Sequence, residues 1–102
     1  MIEKVFDTGL TPAQNELLLV LSEECSDVIK AICKIQRHGY DSTNPTKANS
    51  PTNREELERE LGDVKAAMQL LTNLGDISKT NICSFKQEKL INVKQWLHFQ
   101  ND

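Results

Sequence analysis

Four carboxylates occupy positions in two helical patterns where side chains of a core are expected. Glu24 and Asp27 lie three residues apart in the first pattern, and Glu60 and Asp63 lie three apart in the second. Residues at this spacing share one face of a helix, with Cβ atoms about 5–6 Å apart. Glu24 also interrupts an apolar row, where burying an unpaired carboxylate costs several kcal/mol. A cation held between the two helices would remove both the repulsion and this cost.

The chemistry of such a cluster is metal binding. Four hard oxygen donors suit Mg²⁺, with Mn²⁺ as a second possibility, and Mg²⁺ commonly takes waters and substrate phosphates as its other ligands. Acid pairs at this spacing are also common on solvated helix faces. Because two pairs interrupt apolar rows, we favour a metal site. We interpret the other acids around the second pattern as solvated surface charges: Glu55, Glu56, Glu58 and Asp76.

A row of cations follows the first acid pair. Lys34 lies two turns beyond Asp27, about 10 Å along a helix axis, and Arg37 follows one turn later. Cations at that distance could hold the far end of a polyphosphate. The alternative is that they are ordinary helix-end residues, because the helix dipole also favours Lys and Arg near a C-terminus. His38 is interpreted in that second way.

Three helical patterns position these residues, and no stretch alternates like a strand. Thr11, Pro12 and Gln14 form the expected start of the first helix, and Gly39 is its expected left-handed terminator. Glu56 lies three residues beyond the expected start of the second. The predicted fold is all-α, a bundle of long antiparallel helices. The predicted helices run from Pro12 to about His38, from Asn53 to about Leu74, and from Ser84 to about Phe99.

Composition limits the class of protein. The 102 residues predict a single domain, 1–102, with a polar and mobile loop at about 40–53. A net charge of -3 argues against a nucleic-acid partner. Hydrophobic residues make up only 38% and aromatic residues 5%, which favours a thin core completed by a second copy.

Localisation is predicted to be cytoplasmic. The longest apolar run, Leu17 to Leu21, is far too short for a membrane span, and the N-terminus lacks a secretory signal. The cysteines have no zinc-ligand spacing and are expected to be reduced thiols that act as small core residues: Cys25, Cys33 and Cys83.

The acid pairs also carry a family resemblance. Glu24-x-x-Asp27, the basic segment KIQRHG, a polar loop and Glu60-Leu-Gly-Asp63 together resemble the MazG-like all-α nucleoside triphosphate pyrophosphohydrolases. Their signature is an ExxE followed by an ExxD. The resemblance covers about residues 15–80 and is closest to the compact proteins of bacteria and phages. Asp27 departs from the family, which usually has Glu there, and the gap between the two motifs is slightly longer than usual.

The resemblance implies cleavage of a nucleoside triphosphate between its α- and β-phosphates, giving the monophosphate and pyrophosphate. By the resemblance, the four motif carboxylates would bind Mg²⁺, and Glu23 or Glu24 would orient or deprotonate the attacking water. Lys34 and Arg37 would bind phosphates. The family also assembles as homodimers or homotetramers, for which Trp96, Leu97 and Phe99 could supply contacts. Packing within the chain is an equal alternative for these three.

Other functions stay open on the sequence alone. The chain could be a non-catalytic helical module that binds a nucleotide or a protein partner. Within the superfamily it could also hydrolyse phosphoribosyl-ATP or an alarmone. The base and sugar of the substrate are not readable from the residues.

Overall fold

A computed structural model describes residues 5–100 of the chain. Within this range all regular structure is helical and there is no strand, which confirms the all-α prediction. No helix in the same range is both long and apolar enough to cross a membrane. The elements are α1 (Pro12–His38), α2 (Asn53–Asn73) and α3 (Lys79–Asn92), followed by a short 3₁₀ turn (Val93–Trp96).

Helix α1 begins and ends where the sequence predicts. The Thr11 hydroxyl accepts a hydrogen bond from the Gln14 amide at 3.1 Å, and the Gln14 side chain accepts one from the Thr11 amide at 2.8 Å. This reciprocal capping box satisfies two amides that have no partner inside the helix. Gly39 ends the helix with φ 88° and ψ 168°. Its φ is positive, as expected, but its ψ lies outside the left-handed helical region that was predicted.

Helix α2 begins one residue differently from the prediction. Thr52, not Asn53, is the cap: its hydroxyl accepts from the Glu55 amide at 3.1 Å, and the Glu55 carboxylate accepts from the Thr52 amide at 3.0 Å. The pair of Asn53 and Glu56 was therefore the wrong capping pair. Asn53 is buried inside the first turn, where its side-chain amide donates to the Gly39 carbonyl at 3.0 Å. Its side chain thus closes the connection between α1 and α2.

The two long helices pack antiparallel along their length. Gln14, at the start of α1, donates to Asp76 just after α2, and Lys34, near the end of α1, pairs with Glu56 at the start of α2. The residues buried between them are small or aliphatic: Ala31, Ala67 and Leu71. Alanines at a helix contact allow close approach of the backbones, so the two helices pack closely although they bury few side chains.

The apolar spacing of the two long helices predicts a core that includes Ile32 and Leu61, and these two residues are exposed. Ile32 on α1 and Leu61 on α2 are both more than a third accessible, because the buried stripe runs through Ala31 and Ala67 instead. The prediction that the cysteines act as core residues is also wrong: all three are free and exposed.

The cap of helix α3 lies six residues before Ser84, the cap that the sequence predicts. Its cap is Ser78, whose hydroxyl accepts from the Asn81 amide at 3.1 Å, and Ser84 lies inside the helix. The segment Gly75–Cys83, which the predicted helix boundaries leave between two helices as a connector, therefore contains the first turn of α3. The regular helix also ends at Asn92, before the predicted end near Phe99.

Helix α3 extends away from the pair formed by α1 and α2. It makes no extensive contact with either of them among the described residues. The radius of gyration is 18.5 Å, well above the ~13 Å typical of a compact domain of about 100 residues. Trp96 is 71% and Phe99 93% accessible, so the alternative in which they pack within the chain is wrong.

Candidate metal centre and adjoining basic pocket

Three carboxylates meet between α1 and α2. Glu24, from the middle of α1, faces Glu60 and Asp63 on α2, and one oxygen from each lies within 4.8 Å of the others. Glu24 and Glu60 are half-buried, whereas Asp63 lies at the exposed edge. Antiparallel packing brings the two motifs together because each acid pair falls in the middle of its helix.

The cluster raises the pKa of Glu24. Burial is the largest cause, because it removes water from the carboxylate, and repulsion by Asp63, Asp27, Glu60 and Glu23 follows in that order. Each of these effects disfavours the charged form of Glu24. A carboxylate with this surrounding is electrostatically suited to a cation, which would reverse the sign of the local interaction.

Asp27 and Glu23 lie at the margin of this cluster. Asp27 is outside the set of three close oxygens, and its carboxylate lies 3.9 Å from the Lys30 ammonium one turn further along α1. Its charge nevertheless acts on Glu24. Glu23 is exposed on α1 next to the cluster. The structure therefore brings three of the four predicted ligands together tightly and holds the fourth beside them.

Lys34 and Arg37 line a pocket at the loop end of the same two helices. The pocket has a volume of about 430 Å³ and is walled by α1, the loop after it and the first turn of α2. A smaller cavity of about 240 Å³ adjoins it and reaches back to Asp27 and Glu60. The residues that line the larger pocket are Lys34, Arg37, His38, Ser42, Thr43, Asn44, Pro45, Asn53 and Glu56.

Glu56 was misassigned as a solvated surface charge. Its carboxylate is half-buried and lies 3.3 Å from the Lys34 ammonium, across the interface between the helices. The sequence suggests only that the loop at about 40–53 could cover the site, and it assigns no contact there to Asn53 or to any single loop residue. The only feature of the sequence that could have predicted the Lys34–Glu56 pair is the presence of opposite charges at the end of α1 and the start of α2.

The loop between the helices is tied to the start of α2. The amides of Asn53 and Arg54 donate to the carbonyls of Ser42 and Tyr40, both at 2.9 Å. The Arg54 guanidinium lies 4.5 Å from the centre of the Tyr40 ring and donates to Asp41 at 3.2 Å. These contacts hold the chain on both sides of the pocket wall.

Fold and site together define an all-helical protein with an acidic cluster suited to a divalent cation. A family model described as the MazG nucleotide pyrophosphohydrolase domain matches residues 13–98, so the chain belongs to that family. The match includes every predicted site residue and extends the resemblance, expected over about 15–80, through α3. Comparisons with curated proteins and with solved structures gave no match. Membership indicates nucleotide pyrophosphohydrolase activity, and enzymes of this family generally depend on a divalent metal.

Proposed function

We propose that the chain is a Mg²⁺-dependent pyrophosphohydrolase that cleaves a nucleoside or deoxynucleoside triphosphate between the α- and β-phosphates. The products would be the monophosphate and pyrophosphate. The observation that carries the proposal is the meeting of Glu24, Glu60 and Asp63 oxygens within 4.8 Å of one another across two helices. An NTP substrate requires a divalent cation beside its phosphates, and this cluster lies next to a basic pocket.

The donor set fits Mg²⁺ or Mn²⁺. Glu24, Glu60 and Asp63 would be direct ligands, and Asp27 would complete the set directly or through a water. All four are hard oxygen donors, as these ions prefer. When bound, Mg²⁺ would lower the pKa of a coordinated water and neutralise charge on the phosphate oxygens.

The chain's own residues would position the reactants. Glu24 or the neighbouring Glu23 would accept a hydrogen bond or a proton from the attacking water. Lys34 and Arg37 would bind the phosphates, Arg37 through the planar fork of its guanidinium. Phosphoryl transfer depends mainly on positioning and electrostatic stabilisation, so this set needs no covalent nucleophile.

We further propose that 1–102 acts as a single domain in a homodimer or homotetramer located in the cytoplasm. Exposed apolar side chains on α1 and α3, among them Ile29, Phe85 and Ile91, support assembly because a partner would cover them. The three unpaired cysteines fit a reducing compartment.

The test is product release from a panel of ribo- and deoxynucleoside triphosphates, with Mg²⁺ and with EDTA. Equimolar monophosphate and pyrophosphate that require Mg²⁺ would support the proposal, and the panel would identify the base. Orthophosphate and a diphosphate would place the cut elsewhere and contradict it.

The panel also separates the other candidate functions. Phosphoribosyl-ATP and guanosine tetraphosphate are included because either could be the substrate in this superfamily. Binding of a nucleotide without turnover of any member would instead favour a non-catalytic binding module.

A further inference from the structure

The ion pair between Lys34 and Glu56 stands at the junction of two cavities. Both residues line the pocket of about 430 Å³, and both also line the smaller cavity of about 240 Å³. The smaller cavity is in addition lined by Asp27 and Glu60 of the acidic site. A ligand that extends from the acids into the larger pocket must therefore pass the Lys34–Glu56 pair.

The larger pocket is built for an anion. Lys34, Arg37 and His38 give it three nitrogen bases or cations from α1, and Ser42 and Thr43 add hydroxyls from the loop. No Phe, Tyr or Trp side chain is among the residues that line it, and Tyr40 lies against Arg54 instead. Large aromatic side chains are the usual stacking platforms for a nucleobase, whereas the cationic side chains and hydroxyls here are donors to anionic oxygens. These walls therefore suit phosphate oxygens better than a base.

Glu56 is the anion that Lys34 already holds. Its carboxylate accepts from the Lys34 ammonium at 3.3 Å, whereas Arg37 has no ion pair among residues 5–100. Side chains of the Lys34–Glu56 pair are 49% and 31% accessible. Such partly exposed pairs contribute little to stability, so a ligand of higher charge can displace the carboxylate at small cost.

We infer that Glu56 is an internal substitute for the ligand: the terminal diphosphate group of the substrate displaces it from Lys34 and enters the pocket with Arg37. The inference rests on the proposed function, and it goes further by assigning the direction of the substrate. The β- and γ-phosphates lie toward the loop, and the nucleoside lies on the other side of the acidic cluster.

Contacts made by the loop give the pocket a fixed wall. Asn53 is buried and holds the Gly39 carbonyl, and its amide holds the Ser42 carbonyl on the other side of the bend. The backbone at Ser42 is thereby held, and Ser42 and Thr43 line the pocket together with Arg37. The wall at Ser42 is thus held in the absence of a ligand, and the Glu56 carboxylate is the group that a diphosphate would displace.

The direct test is an NMR titration with inorganic pyrophosphate in EDTA, which follows the backbone amides of Lys34, Ser42 and Thr43. Glu56→Gln removes the competing charge and is expected to lower the Kd about two- to fivefold, the range set by a partly exposed ion pair. Glu58→Gln removes the same charge from an exposed position on α2 that lines neither cavity. An equal effect of both variants, or weaker binding by Glu56→Gln, would overturn the inference.

A second pair of variants tests the cationic wall. Arg37→Ala is expected to weaken pyrophosphate binding at least tenfold, because a charge-assisted bidentate contact is lost. Lys65→Ala removes one positive charge from an exposed position outside the pocket and should leave the Kd within twofold. Amide shifts that spread over other surfaces, with no dependence on Arg37, would contradict a site here.

Kinetics distinguish the diphosphate end of the substrate from an independent anion. Pyrophosphate should inhibit competitively against the triphosphate at saturating Mg²⁺, and Glu56→Gln should lower KM. Noncompetitive inhibition would assign the pocket to a separate anion and refute the proposed direction. Pyrophosphate binding that depends on Glu56 and Arg37, without turnover of any triphosphate, would leave the pocket standing and remove the proposed function. Turnover of a triphosphate without such pyrophosphate binding would support the proposed function and refute the assignment of the pocket.

Discussion

At the scale of single residues, the chemistry is concentrated in carboxylates that the fold holds at an electrostatic cost. Glu24 is half-buried, and four other acids act on it. Proteins rarely keep such an arrangement without a partner of opposite sign. A bound cation would supply that partner, because its attraction to each carboxylate would offset their mutual repulsion.

The strongest residue-level prediction concerns Glu60. Glu60→Gln should reduce Mg²⁺-dependent turnover by more than about 100-fold, the upper loss reached when even indirect metal contacts are removed. In EDTA the variant should melt at the same temperature as the parent or slightly higher, because one repelling charge is gone. Steady-state kinetics and circular dichroism check the two parts.

Glu58→Gln is the matched control, since it makes the same change on an exposed face of α2. Its activity should stay close to that of the parent. If Glu60→Gln unfolds the chain, Glu60 is a structural partner and the interpretation of the cluster fails.

The raised pKa of Glu24 predicts a pH dependence in the metal-free chain. Because the folded pKa lies above the ordinary 4.5, the folded state binds the proton more tightly than the unfolded state does. The resulting stabilisation is complete below pH 4.5 and is lost as the pH rises through the folded pKa. Urea melts in EDTA across this range should show the loss in the parent and not in Glu24→Gln.

The comparison between the parent and Glu24→Gln isolates the contribution of Glu24 to the pH dependence of stability. Glu55 is present in both proteins, and its lowered pKa contributes with the opposite sign. A parent and a Glu24→Gln variant with parallel pH profiles would show that the cluster does not repel Glu24 in solution.

Phosphate contacts give a further prediction at this scale. Lys34→Ala should raise KM for the triphosphate, because the side chain would bind the diphosphate end of the substrate. Lys65→Ala provides the control on α2, and Michaelis–Menten kinetics provide the measurement. An unchanged KM in Lys34→Ala would assign Lys34 to the favourable end of the helix dipole and to its pair with Glu56 alone.

At the scale of elements, the caps decide where the acids face each other. Thr11 begins α1 and Thr52 begins α2, and the loop between the helices is pinned by Asn53. Antiparallel helices of these lengths place Glu24 opposite Glu60. A change in either start would shift one acid pair along the other helix, so the capping boxes contribute to the site indirectly.

Thr52→Ala should destabilise the chain by about 1 kcal/mol, the usual loss when a capping hydroxyl is removed. It should also remove the part of the pH dependence of stability that comes from Glu55. Hydrogen bonds from Thr52 lower the pKa of Glu55 below 4.5, so that stabilisation is present above pH 4.5 and lost as the pH falls through the folded pKa. Chemical denaturation at neutral and acidic pH measures both effects.

Thr80→Ala is the matched control, because Thr80 lies in α3 and makes no side-chain hydrogen bond among the described residues. Equal losses in the two variants would show that Thr52 stabilises α2 through something other than the cap.

The sequence predicts elements best where capping and periodicity agree. Helix α1 has a Thr-Pro-x-Gln start and a glycine end, and both of its boundaries were correct. At α2 two overlapping boxes compete, Thr52 with Glu55 and Asn53 with Glu56, and the sequence does not show that Asn53 is needed to close the loop. At α3 the pair of Ser84 and Gln87 resembles a capping box, but the residue that caps the helix is Ser78. Because α3 packs on neither long helix within residues 5–100, no buried stripe in its sequence shows where the helix begins.

At the scale of the whole molecule, the chain leaves much apolar surface uncovered. Phe85 and Ile91 on α3 and Trp96 after it are each more than 60% accessible, and α3 does not pack on the other helices. Large exposed apolar surface of this kind marks an interaction site. The composition predicted this thinness, whereas the direction in which α3 leaves the pair was not readable from the residues.

We expect the protein to sediment at two or four times its chain mass of 11.6 kDa. Trp96→Ala should shift the association equilibrium toward smaller species. Lys94→Ala, which removes a charged side chain two residues before Trp96, should not. Sedimentation equilibrium over a range of concentrations measures this. A monomer at all concentrations would contradict assembly, and an unchanged oligomer in Trp96→Ala would exclude the C-terminal segment from the interface.

Parts of the site were predictable for a clear physical reason. Acids that interrupt apolar rows conflict with burial, and that conflict is visible in the sequence. The pairing of Glu56 with Lys34 was not visible, because it depends on which residues meet across the helices and on the length of the loop. The pocket walls at Ser42 and Thr43 were missed for the same reason.

Whether the acids between α1 and α2 hold a metal is tested by Mn²⁺ binding, monitored through the loss of the free-ion electron paramagnetic resonance signal. The parent should bind Mn²⁺ with a Kd that Mg²⁺ raises by competition, and Glu24→Gln should weaken that binding at least tenfold while Glu58→Gln leaves it unchanged. If all three proteins bind Mn²⁺ equally, or none binds it, the acids between α1 and α2 are not a metal site and the account is wrong.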